Sequence, residues 1–389
     1  MSSSIQTFFS YGFRPFFSFA ALFAGVSILV WVAEFTGMAG SGGELDALTW
    51  HAHEMMFGYL AGVVAGFTLT AVANWTGRPP VSGALLVLLF LLWLAGRIAM
   101  ALALTGYLAL APAVLIDILF IPAFAATFAR EVIAGGNKRN LVVVAAVSVF
   151  GLANILFCLN ALALFDNDYW IRLGLGTAAV LIALIGGRII PAFTKNWLAA
   201  RGLARQMPEM DLIDKAALAL TVLGALLWTV LPDAPMTALA LVLAGAGLAL
   251  RLSRWQGLKT FGEPLIGALH LAYALLATSL VLIGLSVWQP SLVPSSSGLH
   301  LLSAGAIGLM TCVVMTRALL GHTGRPLTSS PLTATALLLI AGGALLRATA
   351  PWMPGFYVSL VGVSGALWSL GFLLFAGYFA PMVLRSRIS

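Results

Sequence analysis

Apolar runs of about twenty residues, the length a helix needs to cross a bilayer, follow one another from the N-terminal aromatics to Leu384. Short turns rich in Gly, Pro, Lys or Arg separate them. In hydrocarbon every backbone N–H and C=O must be satisfied within the chain, which leaves helices or a closed barrel. Runs this long and this continuously apolar belong to helices. With 61% of residues hydrophobic and 8% charged, and a mean hydropathy of +1.03, there is too little polar surface for a water-soluble protein of this length. The expected fold is therefore all-α, a polytopic membrane helical bundle of about twelve transmembrane helices. Their approximate limits are 15–33, 50–73, 81–100, 106–128, 141–164, 170–191, 212–230, 236–250, 264–288, 298–319, 332–348 and 355–384.

The charges settle what the turns are for. The formal charge of +7 lies in short loops, so it bears on topology and not on nucleic acid. When alternate turns are assigned to opposite sides, all 20 Lys and Arg residues except Arg97, Arg172 and Arg347 collect on one side. That asymmetry predicts both termini in the cytoplasm. The stretch 10–32 lacks a small-residue cleavage pattern and reads as a full span, not a cleaved leader. The longest polar connection carries Lys195, Arg201, Arg205, Glu209, Asp211 and Lys215. Cys158 and Cys312 sit within apolar runs and read as buried hydrophobes, with thiolate ligation as the alternative.

One stretch, WHAHEMMFGYLAGVVAGFTLTAVANWTGRPP from Trp50 to Pro80, has a counterpart. Its Thr76–Pro79 tetrapeptide TGRP recurs at Thr323–Pro326, a displacement of 247 positions (323 − 76) that also places His53 on His300 and Gly58 on Gly305. GGRIIPAFTKNW, from Gly186 to Trp197, is a looser echo. The chain is a single transmembrane domain by this reading, with repeated four-helix units at about 10–130, 131–250 and 251–389 as one organisation and chance likeness between spans as the other.

Ionisable groups inside such spans are costly and draw attention to function. His51, His53 and His300 fall at the non-cytoplasmic ends of their spans on this map, and three imidazoles make a plausible copper site. On a regular helix His51 and His53 point about 200° apart, so they converge only if the first turn is irregular. Hydrogen-bonded packing and proton relay are the competing roles. His270, roughly 10 Å into its span at about 1.5 Å per residue, is a candidate metal or axial haem ligand, and His322 a candidate for the opposite axial position or a turn cap. Glu54, Asp117 and Tyr59 are candidates for moving protons in catalysis, with an Asp117–Arg97 ion pair as the structural alternative. Arg14, Arg78, Arg188, Arg317 and Arg325 stand at span ends where guanidiniums could pair with haem propionates or anchor the helices. The chain has no C-x-x-C-H attachment motif, so any haem is of the non-covalent b type. It also has no Walker phosphate loop and no HExxH zinc motif.

Taken together, YGFRPFF (Tyr11–Phe17), WHAHEMMFGY (Trp50–Tyr59), NWTGRP (Asn74–Pro79), GGRIIPAFTKNW, LHLAY (Leu269–Tyr273) and GLMTCVVMTRALLGHTGRPL (Gly308–Leu327) resemble the NnrS family. The resemblance implies a twelve-span bacterial inner-membrane protein carrying haem and copper and protecting against nitric oxide and nitrosative stress. On that basis the expected function is binding, and in one version reductase-like metabolism, of nitric oxide or iron-nitrosyl species. Lipid and a membrane electron donor are the expected partners. A metal or small-molecule transporter, and a nitric oxide sensor without turnover, are the alternatives.

Overall fold

The computed structural model describes residues 3–203 and 207–388; Arg205 lies outside them. Among the described residues twelve helices are long and apolar enough to cross a membrane: spans 1 to 12 are Phe13–Phe35, Ala47–Thr76, Gly83–Leu104, Leu110–Ala134, Lys138–Ala161, Tyr169–Ala199, Leu212–Val230, Pro235–Ser253, Pro264–Trp288, Ser295–His322, Pro331–Trp352 and Pro354–Val383. The described residues contain no strand. The expected count therefore holds, and the ends move for identifiable reasons. Span 2 starts at an Asp46 cap, whose side chain accepts from the N–H groups of Leu48 and Thr49 at 3.0 and 2.9 Å. It stops where Gly77 takes φ +69°, ahead of two prolines. Span 11 opens on Pro331 behind a Ser330–Thr333 capping box.

The chain folds as two compact units. The first comprises Met1–Gly174, Met315–Leu327 and Phe372–Ser389; the second comprises Leu175–Val314 and Thr328–Gly371. In the first, span 1 packs along span 2, span 3 on span 4, and span 4 on span 5. Span 2 presents Gly58, Gly62 and Gly66, a small residue every fourth position, so that neighbouring helices can approach its backbone. A methyl on Gly66 would fall 2.7 Å from the Phe17 ring, and one on Gly62 would fall 3.2 Å from Ala20 Cβ. In the second unit spans 7, 8 and 9 form a sequential bundle in which Gly245 lets span 8 approach the Ala277 carbonyl of span 9.

Spans 2, 6 and 10 share an irregularity that hydropathy does not show. Each contains a π-helical segment: Glu54–Leu60, Ile182–Gly186 and Leu301–Ile307. The 247-residue displacement that superposes His53 on His300 carries the first of these onto the third, residue for residue (54 + 247 = 301, 60 + 247 = 307). Widening a helix in this way disturbs the regular ladder of carbonyl bonds, and inside a membrane no water can complete it. In each case a side chain from elsewhere donates to a carbonyl of the widened turn. Trp93 Nε1 donates to Gly58 O at 2.8 Å, Arg251 Nη1 to Ala183 O at 2.8 Å, and Trp368 Nε1 to Ala304 O at 3.0 Å.

Arg251 also explains a boundary. The sequence predicts that span 6 ends at Pro191, yet the helix runs on to Ala199. Proline has no N–H for the carbonyl four residues earlier, Gly187 O. Arg251 Nη2 donates to that oxygen at 3.4 Å, while Nε pairs with Asp214 at 2.5 Å and Nη1 reaches the Tyr273 hydroxyl at 3.1 Å. The expected span 8 ended at Leu250; the helix in fact includes Arg251 and buries it, with 1% exposure, as the prop of span 6.

Arg254 ties the loop before span 7 by donating to Asp211 at 2.5 and 3.0 Å. These bonds hold the Asp211 carboxyl below its usual range. A depressed carboxyl stabilises the folded state above its unfolded pKa of about 4 and loses that contribution as pH falls through the folded value. Arg254→Gln should therefore flatten the acid limb of a melting-temperature profile without changing the neutral limb's shape. For the packing, Gly187→Ala would drive a methyl into the locked Arg251 guanidinium and Gly66→Ala one into the Phe17 ring. Each should lower stability in detergent by about 1–3 kcal/mol. Gly342→Ala, which meets nothing within 4 Å, should be neutral or stabilising by up to about 1 kcal/mol.

Candidate functional site

The first turns of span 2 place His53 and Glu54 side by side, both with 0% exposure, at the start of the first π segment. Span 3 brings Arg97 to them, with Gly58 leaving the space that its guanidinium fills. Span 4 contributes Asp117, seated against Gly96, and span 5 contributes Asn154. All five are buried.

Their bonds close a ring. Arg97 donates through Nη1 to Glu54 and through Nη2 to Asp117. On the opposite side His53 Nδ1 lies 3.0 Å from the second oxygen of Glu54, and Nε2 lies 3.1 Å from the second oxygen of Asp117. Asn154 Nδ2 donates to the same Asp117 oxygen at 3.0 Å, and its Oδ1 stands 3.3 Å from His53 Nε2. The Phe157 ring covers the imidazole at a centroid distance of 4.1 Å, and Phe57 stands at 5.3 Å. The Arg97–Asp117 ion pair anticipated from sequence is thus formed, and it is half of a larger assembly.

The geometry sets a proton count. Carboxylates only accept, and a neutral imidazole donates through one nitrogen. Both nitrogens of His53 face carboxylate oxygens, so the ring closes only with one further proton, carried by the imidazole or by a carboxyl. With that proton the two acids are balanced by Arg97 and His53, which is what permits four ionisable groups to be buried together. The assembly holds one proton in a dry setting and offers it three alternative seats on His53, Glu54 and Asp117. Tyr59 stands on the same π segment, 2% exposed, with its ring edge-on to Phe372 at 5.2 Å.

The other expected residues are placed elsewhere. His51 is half-buried and stacks on Trp31 at 4.4 Å, so within this unit the two histidines of span 2 have separate environments despite the nearby π segment. In the second unit His300 donates from Nδ1 to Ser296 O at 2.8 Å, which leaves the Nε2 lone pair for another partner. His270 Nε2 lies 2.9 Å from Thr194 Oγ1, whose proton goes to Ile190 O. His270 therefore donates from Nε2; its Nδ1 is buried without a hydrogen bond and faces Gly257 so closely that even a methyl there would overlap it. Back in the first unit His322 stacks on Phe13 at 5.3 Å, lies 5.9 Å from Tyr11, and has no hydrogen bond to its ring among the described residues.

Arg14 lies near His322. Arg78 donates to Glu131 at 2.9 Å, whereas Arg188 and Arg317 lie inside the helices of spans 6 and 10, not at their ends. Arg97, counted among the loop charges in the topology argument, is inside the bundle. Among the described residues no group of three or more His, Cys, Asp or Glu side chains is arranged to hold a metal ion. Hydrogen bonding gives the same answer at His53, where both nitrogens are engaged. His270 has one nitrogen engaged and the other pressed against Gly257. His300 and His322 each keep a ring nitrogen that no described hydrogen bond uses.

Asn154 and the closure of Arg97 onto Glu54 were not anticipated. An amide in the middle of the apolar run of span 5 is the signal that would have found the first. Arg97→Leu leaves two buried carboxylates facing each other and should cost about 3–5 kcal/mol, read as a lower melting temperature in detergent. Adding Asp117→Leu to Arg97→Leu should recover part of that loss, because the second change removes one of the stranded charges.

No curated protein sequence matches the chain. The family model described as NnrS protein matches residues 7–387, nearly its full length. The match takes in every motif from the N-terminal aromatics to the second TGRP turn, and the chain belongs to the NnrS family.

Proposed function

We propose that this chain is a multi-pass protein of the bacterial inner membrane, with both termini cytoplasmic, that binds haem and copper and takes nitric oxide or an iron-nitrosyl species as its ligand. Its role is protection against nitrosative stress. Family membership supports the nitric oxide connection. The observation that carries the reading further, to turnover, is the closed ring of His53, Glu54, Arg97 and Asp117, which holds a movable proton within a membrane span.

Haem and copper supply diatomic binding and one-electron chemistry when bound. His322 and His300 are the residues that fit as their ligands. Reductive coupling of two nitric oxide molecules to nitrous oxide and water consumes two electrons and two protons. A membrane electron donor would provide the electrons. The chain's part is the proton: His53 holds it between Glu54 and Asp117, Asn154 orients the Asp117 carboxylate, and Arg97 holds both acids in place. Phe57 and Phe157 help to exclude water from the imidazole.

A proton-coupled metal transporter would use the same ring, and one experiment separates the two. Reduced protein with quantified haem and copper is titrated anaerobically with nitric oxide while gas consumption and nitrous oxide are followed. The proposal expects a haem shift with sustained turnover. Asp117→Asn should keep the shift and lower turnover by about 10²-fold or more, and copper chelation should lower turnover as well. A stoichiometric shift without product excludes turnover. Metal uptake into proteoliposomes without nitric oxide consumption would establish the transporter.

A further inference from the structure

The two TGRP turns differ in what surrounds their arginines. Arg78 of the first donates to Glu131 at 2.9 Å, and Arg130 reaches the other oxygen of that acid at 2.7 Å. Arg325 of the second has no carboxylate partner among the described residues, and its Nη1 is buried with no hydrogen bond. Around it stand further cations. Arg14 is within electrostatic reach of Arg325, and Arg14 and Arg387 are both within electrostatic reach of His322. The turn itself holds Arg387 there. Ile388 N–H donates to Thr323 O at 3.1 Å, and Gly324, at φ +77°, lets the chain end approach closer than any side chain would allow.

Arg14 is 4% exposed, yet its guanidinium is only partly used. Nη1 donates to the carbonyls of Val383 and Arg385 at 2.6 and 2.9 Å. Nε is buried without a partner, and no hydrogen bond to Nη2 is formed among the described residues. The Nε–Nη2 side is an edge with which arginine grips two oxygens of one anion. Three guanidiniums with no carboxylate partner among the described residues repel one another, and a bound anion offsets that repulsion.

Position and surroundings indicate which anion. Arg14 is the second residue of span 1, Val383 the last of span 12 and His322 the last of span 10, so the cluster lies where the spans end, at the depth of lipid headgroups. Exposed apolar side chains flank it at Leu327, Leu384 and Ile388. A charged group with apolar surface beside it fits an amphiphile better than a free ion. We infer that Arg14, Arg325 and Arg387 bind the phosphate of an anionic phospholipid. The cluster borders His322, a haem or copper ligand in the reading above, and lipid retention tests it by a readout separate from that reading.

The test uses the full-length protein in detergent, with retained lipid counted by native mass spectrometry after addition of dioleoylphosphatidylglycerol, dioleoylphosphatidylcholine or inorganic phosphate, and with haem content measured on the same samples. The wild type should retain phosphatidylglycerol over phosphatidylcholine. Arg325→Gln and Arg387→Gln should each weaken that retention roughly fivefold, and together roughly 25-fold, at about 1 kcal/mol per basic residue. Arg139→Gln, on an exposed turn, should leave it unchanged. Arg14→Gln is not a primary variant, because its Nη1 also holds the end of span 12. Phosphatidylglycerol retention that is unaffected in the double variant overturns the inference. Equal retention of phosphatidylcholine also overturns it, as does displacement of the lipid by inorganic phosphate at matched concentration, which would mark a free-anion site. Loss of haem from the double variant with lipid retention intact reassigns the cluster to haem carboxylates and overturns it too.

Discussion

A carbonyl released inside a membrane has no water to bond, and this protein releases carbonyls in three of its spans. The consequence runs through the architecture. Trp93, Arg251 and Trp368 are committed to Gly58, Ala183 and Ala304, and each commitment fixes where a neighbouring helix must lie. Span 3 is held to span 2 at the level of Gly58, which is also where Arg97 meets Glu54. The widened turn and the buried charges are therefore one construction: the helix whose Trp93 props the backbone also carries the Arg97 that bridges the acids.

Burying four ionisable groups is a poor way to gain stability, since desolvation offsets most of the Coulomb attraction. A hydrophobic core at this level would hold the helices as well. What the ring of His53, Glu54, Arg97 and Asp117 adds is discrimination between protonation states, because its closure depends on the location of a single proton. Arg251, Asp214 and Tyr273 make a second buried polar group in the other unit, but there the guanidinium is spent on backbone oxygens and one acid. The contrast separates a structural arginine from one that serves an ionisable assembly.

The twelve spans were legible because bilayer thickness imposes a length, and hydropathy reads length well. Their ends were less so. Pro191 looked like a terminator, and only the long-range bond from Arg251 to Gly187 O lets the helix pass it. The Asp117–Arg97 pair could be anticipated, since two opposite charges in adjacent spans have few other solutions. Its continuation through Glu54 and His53 could not, because side-chain direction in a π segment does not follow the 100° step that sequence patterns assume. Imidazole count suggested a copper trio; hydrogen bonding, invisible in sequence, has already used both nitrogens of His53. The displacement of 247 residues was legible as letters and proves to be matched in backbone geometry as well.

The clasp between Arg14 and the carbonyls of Val383 and Arg385 joins the second residue of the first span to the end of the last. During synthesis the first span enters the membrane long before those carbonyls exist. Its Nη1 finds these partners only once the twelfth span is in place. The seating of the first span against the last is therefore a late event in the assembly of this unit, whatever order the spans between them pack in.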